Sequence, residues 1–178
     1  MGCDFAVSKK DKANKTSFTI GGKCSENFIH VVDQRTGRWD TLEWINEMFA
    51  IQKRWNPAVF FVEDGVIWKS VSPTLYREMQ VRDRWINCQP VLPTRDKATR
   101  GRPLQKHMRA GGMKFDKEGS WYPAYENELL RFTGYNESAA DDQFDSTALL
   151  VKGFETMAEL AEEDFLDEEQ EWLQNNDP

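Results

Sequence analysis

Apolar positions fall first in short, strand-length runs and then at helical spacing. GCDFAV, SFTIGG and NFIHVV are rich in β-branched and aromatic residues, with Lys9 to Lys15 and Gly21-Gly22 to Glu26 as connections, and this predicts two successive antiparallel hairpins. Asp40 stands three residues before Glu43, and Leu42, Ile45, Phe49 and Gln52 repeat at helical spacing as far as Trp55, where Asn56-Pro57 stops the helix. AVFFV is continuous rather than alternating, as in a strand buried on both faces, and Glu63-Asp64-Gly65 ends it. Pro73 is expected in the first turn of a helix running to about Val81, followed by a short strand in INCQPVL. Leu104 and Met108 lie one helical step apart, and Gly111-Gly112 stops that helix. MKF and SWY predict a small hairpin, and further helices run from about Tyr122 to Phe132 and from about Ala140 onward.

Three strands joined by hairpins, then helix, strand, helix, strand and a closing helix, define an α/β chain with a mixed five-stranded sheet flanked by helices. This order is similar to the ribonuclease H-like fold. The 178 residues suit one domain, expected over residues 1–155, with an acidic C-terminal tail over 156–178. Seven Trp and eleven Phe exclude global disorder. No apolar run approaches the roughly 20 residues that span a bilayer, and MGCDFAVSKK lacks a signal-peptide core, so an intracellular, non-membrane protein is expected. Cys3, Cys24 and Cys88 form no C-x-x-C pair, which argues against a disulfide framework or a zinc knuckle.

The net charge of −7 is unevenly placed. Ten acids and no Lys or Arg lie from Glu155 to Pro178, leaving 23 basic and 20 acidic side chains in residues 1–154. Seven cations, Arg95, Lys97, Arg100, Arg102, Lys106, Arg109 and Lys114, crowd into one segment against Asp96 alone, so the acidic total does not exclude a nucleic-acid partner. Lys97, Arg100, Arg102, Lys106 and Arg109 are the candidate phosphate contacts on double-stranded DNA, on a helix face opposite Leu104 and Met108. That face is otherwise an ordinary solvated one. No base-reading element is evident, so sequence preference should be slight.

The chemistry lies in the carboxylates. Asp4 interrupts an apolar strand, where an unpartnered carboxylate is costly to bury. Glu63 ends a buried strand, where α/β sheets commonly carry ligand-binding groups. Asp141, Asp142 and Asp145 gather at a helix start. Taken singly, Asp4 could face solvent at a strand edge, Glu63 could close a turn, and the three aspartates could serve the helix dipole. Taken together, acids on two strands and a helix can converge, and a divalent cation relieves their repulsion. Hard oxygen donors favour Mg²⁺ or Mn²⁺, and two such ions support phosphodiester cleavage. His30 and His107 sit in no H-E-x-x-H motif, and G-x-S-x-G and P-loop patterns are absent. The seven Trp residues fall mostly in periodic elements and are expected to pack in the core or at its boundary.

TRDKATRGRPLQKHMRAGGMKF, then WYPAYENELLRF, then ADDQFDSTALL resemble, in that order, the C-terminal nuclease domain of the large terminase subunit of tailed bacteriophages. GCDFAVS and FFVEDG resemble its first two acidic motifs, so the resemblance covers roughly residues 2–155. It implies a ribonuclease H-like, metal-dependent endonuclease that cuts concatemeric viral DNA in the host cytoplasm, using two Mg²⁺ or Mn²⁺ ions. Carried over, Asp4 is the first metal ligand and Glu63 the second. The Asp141-Asp142 pair supplies the third, Asp142 preferred, with Asp145 assisting. Family members often carry a further Asp before the second strand, where this chain has Lys15. The implied partners are the packaging ATPase domain of the same subunit, the small terminase subunit and the portal. Since the chain starts at the first catalytic strand, an excised domain is expected. Two other readings fit the same acids: another ribonuclease H-like enzyme such as a junction resolvase, and a non-catalytic nucleic-acid or assembly module.

Overall fold

The structure is a computed structural model that describes residues 1–6, 15–93, 97–132 and 141–175, with side chains for all of these but 97, 98 and 160–175. Residues 7–14, Arg95, the side chain of Lys97, the expected helix start at Ala140, the side chain of Trp172 and the side chains of the tail from residue 160 onward lie outside this description.

Among the described residues, six strands form one mixed sheet: β1 (Gly2–Asp4), β2 (Thr16–Lys23), β3 (Ile29–Gly37), β4 (Phe60–Glu63), β5 (Cys88–Val91) and β6 (Met113–Phe115). Their spatial order is β5-β4-β1-β2-β3-β6. The two antiparallel hairpins are present as β1/β2 and β2/β3, and the other pairings are parallel. Pro90 is accommodated because β5 lies at the sheet edge, where a missing donor costs least. A bulge between Ile20 and Gly21 shifts the β2/β3 register, so Val31 pairs with Gly21 while Asp33 pairs with Ile20.

The expected count of five strands is corrected to six, and MKF and SWY form no hairpin. Met113–Phe115 adds to β3 in parallel, extending the sheet beyond the hairpin pair. Turn hydrogen bonds from Gly119 N–H to Asp116 and from Tyr122 N–H to Gly119 instead carry Ser120 and Trp121 into a helix.

Two helices, α1 (Thr41–Trp55) and α2 (Val66–Arg82), cover one face, burying Trp44, Ile45, Met48, Trp68, Val71 and Leu75 over Cys3, Phe18 and Val62. The α1 start is the expected capping box: Glu43 N–H donates to Asp40 Oδ1 at 3.0 Å, and Asp40 N–H donates to Glu43 Oε2 at 2.8 Å. Asn56, with φ at 46°, closes it. Helix α2 begins at Val66, so Pro73 is interior rather than in the first turn. Trp68, Val71, Leu75 and Met79 form one buried stripe across the proline, whose own side chain is exposed, and tertiary packing overrides the break.

The opposite face carries α3 (Lys97–Arg109), α4 (Tyr122–Arg131) and α5 (Asp142–Asn175). Leu104 of α3 is buried, but Met108 is 40% exposed, so the apolar side of α3 is narrower than its sequence suggests. The tryptophan expectation holds for buried Trp44 and Trp68, whereas Trp85 is 65% exposed. Helix α5 continues unbroken across residues 155 and 156, the expected edge of the domain. Among the described residues no helix is long and apolar enough to cross a membrane.

Candidate active site

Asp4 is the last residue of β1 and Glu63 the last of β4, and these strands are parallel neighbours, so both carboxylates emerge at the same end of the sheet. Helix α5 crosses this end against β1 and β2. Its approach depends on Gly2, because a Cβ there would lie 2.0 Å from the Ser146 carbonyl oxygen. A buried layer of hydroxyls and one amide then fixes the helix on the sheet. Ser146 Oγ is hydrogen-bonded to Ser17 Oγ at 3.0 Å and to Thr19 Oγ1 at 2.8 Å, and Thr147 Oγ1 to Thr19 Oγ1 at 3.0 Å. Gln34 completes it, donating to Ser17 Oγ at 2.6 Å and accepting from Thr19 at 2.7 Å. Every member is satisfied, so the layer specifies one register instead of costing stability. Ser17 is the cross-strand partner of Asp4, and Ser146 follows Asp145, so the layer carries Asp145 to Asp4.

Asp4, Glu63 and Asp145 line one cavity together with Arg100, Lys152, Leu92, Pro93, Ala148 and Leu149. Arg100 Nη1 donates to Asp145 Oδ2 at 2.7 Å, with the two side chains only 21% and 12% exposed. Lys152 donates to the Leu92 carbonyl at the cavity rim. The pair forms because α3 packs tightly on α5: Gly101 lies where a Cβ would be 2.6 Å from Phe144 Cζ. The preceding Arg100 and the following Asp145 therefore face each other.

The electrostatics follow from this crowding. Burial pushes the Asp4 carboxyl well above its usual range, and the charges of Asp145, Asp142 and Glu63 push the same way while Arg100 opposes them. Burial would lower the Arg100 guanidinium, but Asp145, Glu63 and Asp4 outweigh it and hold the proton more firmly than usual.

Of the three predicted aspartates, Asp145 lines the cavity, whereas Asp142 and Asp141 do not. Asp142 is buried and its carboxyl is raised, first by burial and then by Glu128 and Asp141, against a hydrogen bond from the Lys15 backbone and the Lys15 charge. Lys15 thus sits against Asp142. Asp141 is also buried, and its carbonyl accepts from Asp145 N–H at 2.8 Å as the helix begins. Glu128, which no sequence signal marked, accepts from the backbone N–H groups of Gln143 and Phe144 at 2.6 and 3.1 Å, satisfying donors at the α5 start.

Arg100, one of the five expected phosphate contacts, lines the carboxylate cavity and pairs with Asp145. Arg102, Lys106 and Arg109 are exposed on α3, as expected. A second cleft of about 180 Å³ shares Asp4 and Glu63 and is walled by Cys3, Phe5, Val66, Ile67 and Trp68.

Among the described residues, no three His, Cys, Asp or Glu side chains close into a ready ligand cage. Asp4, Glu63 and Asp145 instead ring a cavity in which Arg100 supplies the positive charge. A set of hard carboxylate oxygens, with Asp4 destabilised as an anion, suits Mg²⁺ or Mn²⁺ and not a soft-ligand metal.

No family model matches the chain, and no curated protein matches it. Among solved structures it is similar to a yeast mitochondrial Holliday junction resolvase, at 12% identity and a TM-score of 0.56, over 85% of this chain and 75% of that one. At this identity the likeness shows the fold alone, a mixed α/β fold of the ribonuclease H-like type.

Proposed function

We propose that the chain is a metal-dependent DNA endonuclease whose site is Asp4, Glu63 and Asp145, with Asp142 beside it. The observation that carries this reading is the convergence of three carboxylates from two strand ends and one helix on a single cavity in a nuclease-type fold. Asp4, Glu63 and Asp145 would hold the divalent cation, and Asp142, whose charge acts on Asp4 from outside the cavity lining, would add charge for a second. Such ions, when bound, lower the pKa of water and stabilise the leaving oxygen of a phosphodiester. The chain's own part is to fix the acids: the Ser17, Thr19, Gln34 and Ser146 layer holds Asp145, and the paired strand ends hold Asp4 and Glu63. Arg102, Lys106 and Arg109 supply sequence-independent attraction for the DNA backbone.

The order of motifs supports cleavage of concatemeric double-stranded DNA in viral packaging, in company with a packaging ATPase, a small terminase subunit and a portal. The fold likeness to a junction resolvase favours a second reading, cleavage of branched DNA. Incubating the purified chain with plasmid and with a synthetic four-way junction, in Mn²⁺, Mg²⁺ or EDTA, separates them. Comparable cutting of plasmid and junction supports the packaging role, and strong selectivity for the junction supports the resolvase role. Metal-independent cutting, or none on either substrate, rejects both.

A further inference from the structure

The three acids of the cavity already have a cation among them. Arg100 Nη1 is 2.7 Å from Asp145 Oδ2, the guanidinium lines the same cavity as Asp4 and Glu63, and its side chain is 21% exposed. The charges of Asp145, Glu63 and Asp4 all act on it. A guanidinium cannot shed its proton to make room for a second cation, so it must share the carboxylates or swing away. Its stem is flexible, while its Cα is pinned by the close packing of Gly101 on Phe144.

We propose that Arg100 is a resident cation that holds the acids together before a divalent ion enters and competes with that ion for Asp145, so that it sets the metal affinity of the site. The proposal rests on the metal-nuclease reading above. It also assigns Arg100 a second position. Once displaced from Asp145, a guanidinium at the rim of this cavity has the geometry and charge to take a phosphate oxygen, and metal loading would then favour DNA binding. Asp145 cannot hold both partners at full strength, which makes the exchange reciprocal.

The test is Mn²⁺ binding to the metal-free chain without DNA, followed by electron paramagnetic resonance of free Mn²⁺, for wild type, Arg100→Gln and Arg100→Lys. Arg100→Gln is expected to bind Mn²⁺ about tenfold more tightly than wild type, within the 5–150-fold span usual for coupled sites. It should also melt at a lower temperature without metal and show a larger rise with it. Arg100→Lys, which keeps the charge, should stay close to wild type. Arg100→Met, which keeps the buried stem, is the second variant should Arg100→Gln fail to fold. A structural role alone would lower melting temperature without tightening Mn²⁺. Unchanged or weaker Mn²⁺ binding by the uncharged variants, with wild type binding and cutting normally, overturns the proposal and leaves the nuclease reading standing. Absence of Mn²⁺ binding in wild type and variants alike removes that reading, and the proposal with it.

Discussion

Arg100 and Asp145, 45 residues apart in sequence, meet at 2.7 Å, one residue before and one residue after the Gly101 and Phe144 contact that locks α3 onto α5. The pairing makes Asp145, not Asp142, the α5 carboxylate that faces the cavity with Asp4 and Glu63.

Asp145→Asn is therefore expected to cost more cleavage than Asp142→Asn. Loss of a partner that merely orients a ligand already costs 10–100-fold, so Asp145→Asn should lose more than about a hundredfold. Single-turnover cleavage rates in Mn²⁺ check the order. Equal losses would contradict this order, and a greater loss at Asp142 would give the principal place to Asp142.

Gly2→Ala should move the whole site. The added Cβ meets backbone rather than a yielding side chain, at 2.0 Å from the Ser146 carbonyl oxygen, so α5 must lift from β1. Overpacking of this kind costs about 1–3 kcal/mol or more, and the urea midpoint should fall together with cleavage. A Gly2→Ala variant of unchanged stability would mean that α5 does not rest on β1 as described.

Asp4 gives a pH dependence. Burial, and then Asp145, Asp142 and Glu63, raise its carboxyl, so the folded metal-free chain binds this proton more tightly than the unfolded chain. Stability conferred by that proton is complete at low pH and is lost as pH rises from the ordinary 3.8 towards the raised folded value. In EDTA, Asp4→Asn should flatten the decline and stabilise the chain at neutral pH, while in Mn²⁺ it should abolish cleavage. Chemical melts between pH 4 and 8 measure both, and a variant less stable than wild type at pH 7 contradicts the assignment.

Arg102, Lys106 and Arg109 are exposed and lie roughly half a turn to two and a half turns along α3 from the cavity residue Arg100. Replacing them with Ala should weaken DNA binding for all sequences alike and reduce the slope of log affinity against log salt by about 0.9 for each phosphate contact removed. Fluorescence anisotropy over a salt series checks it, and an unchanged slope would leave that face merely solvated.

How far the sequence foretold this site depends on whether each feature is local. Asp4 and Glu63 were legible because an acid at the end of an apolar strand is a local signal. The capping box of α1 is likewise contained within four residues. The choice between Asp142 and Asp145 was not legible, since it depends on how α5 is rotated on the sheet. That rotation is fixed by Gly2 and by the Ser17, Thr19 and Gln34 layer, more than a hundred residues away. Arg100 read as one cation in a basic segment because nothing local marks its partner. Strand β6 was legible as a strand in MKF, but its partner was not: it pairs with the distant β3 rather than with SWY.

The most direct measurement is plasmid nicking by the purified chain with Mn²⁺ or EDTA, beside Asp4→Asn and Asp145→Asn. The account predicts metal-dependent nicking by the wild type that each substitution removes while the variants remain folded. Nicking that survives both substitutions, or an intact plasmid with the wild type at every metal concentration, would contradict it.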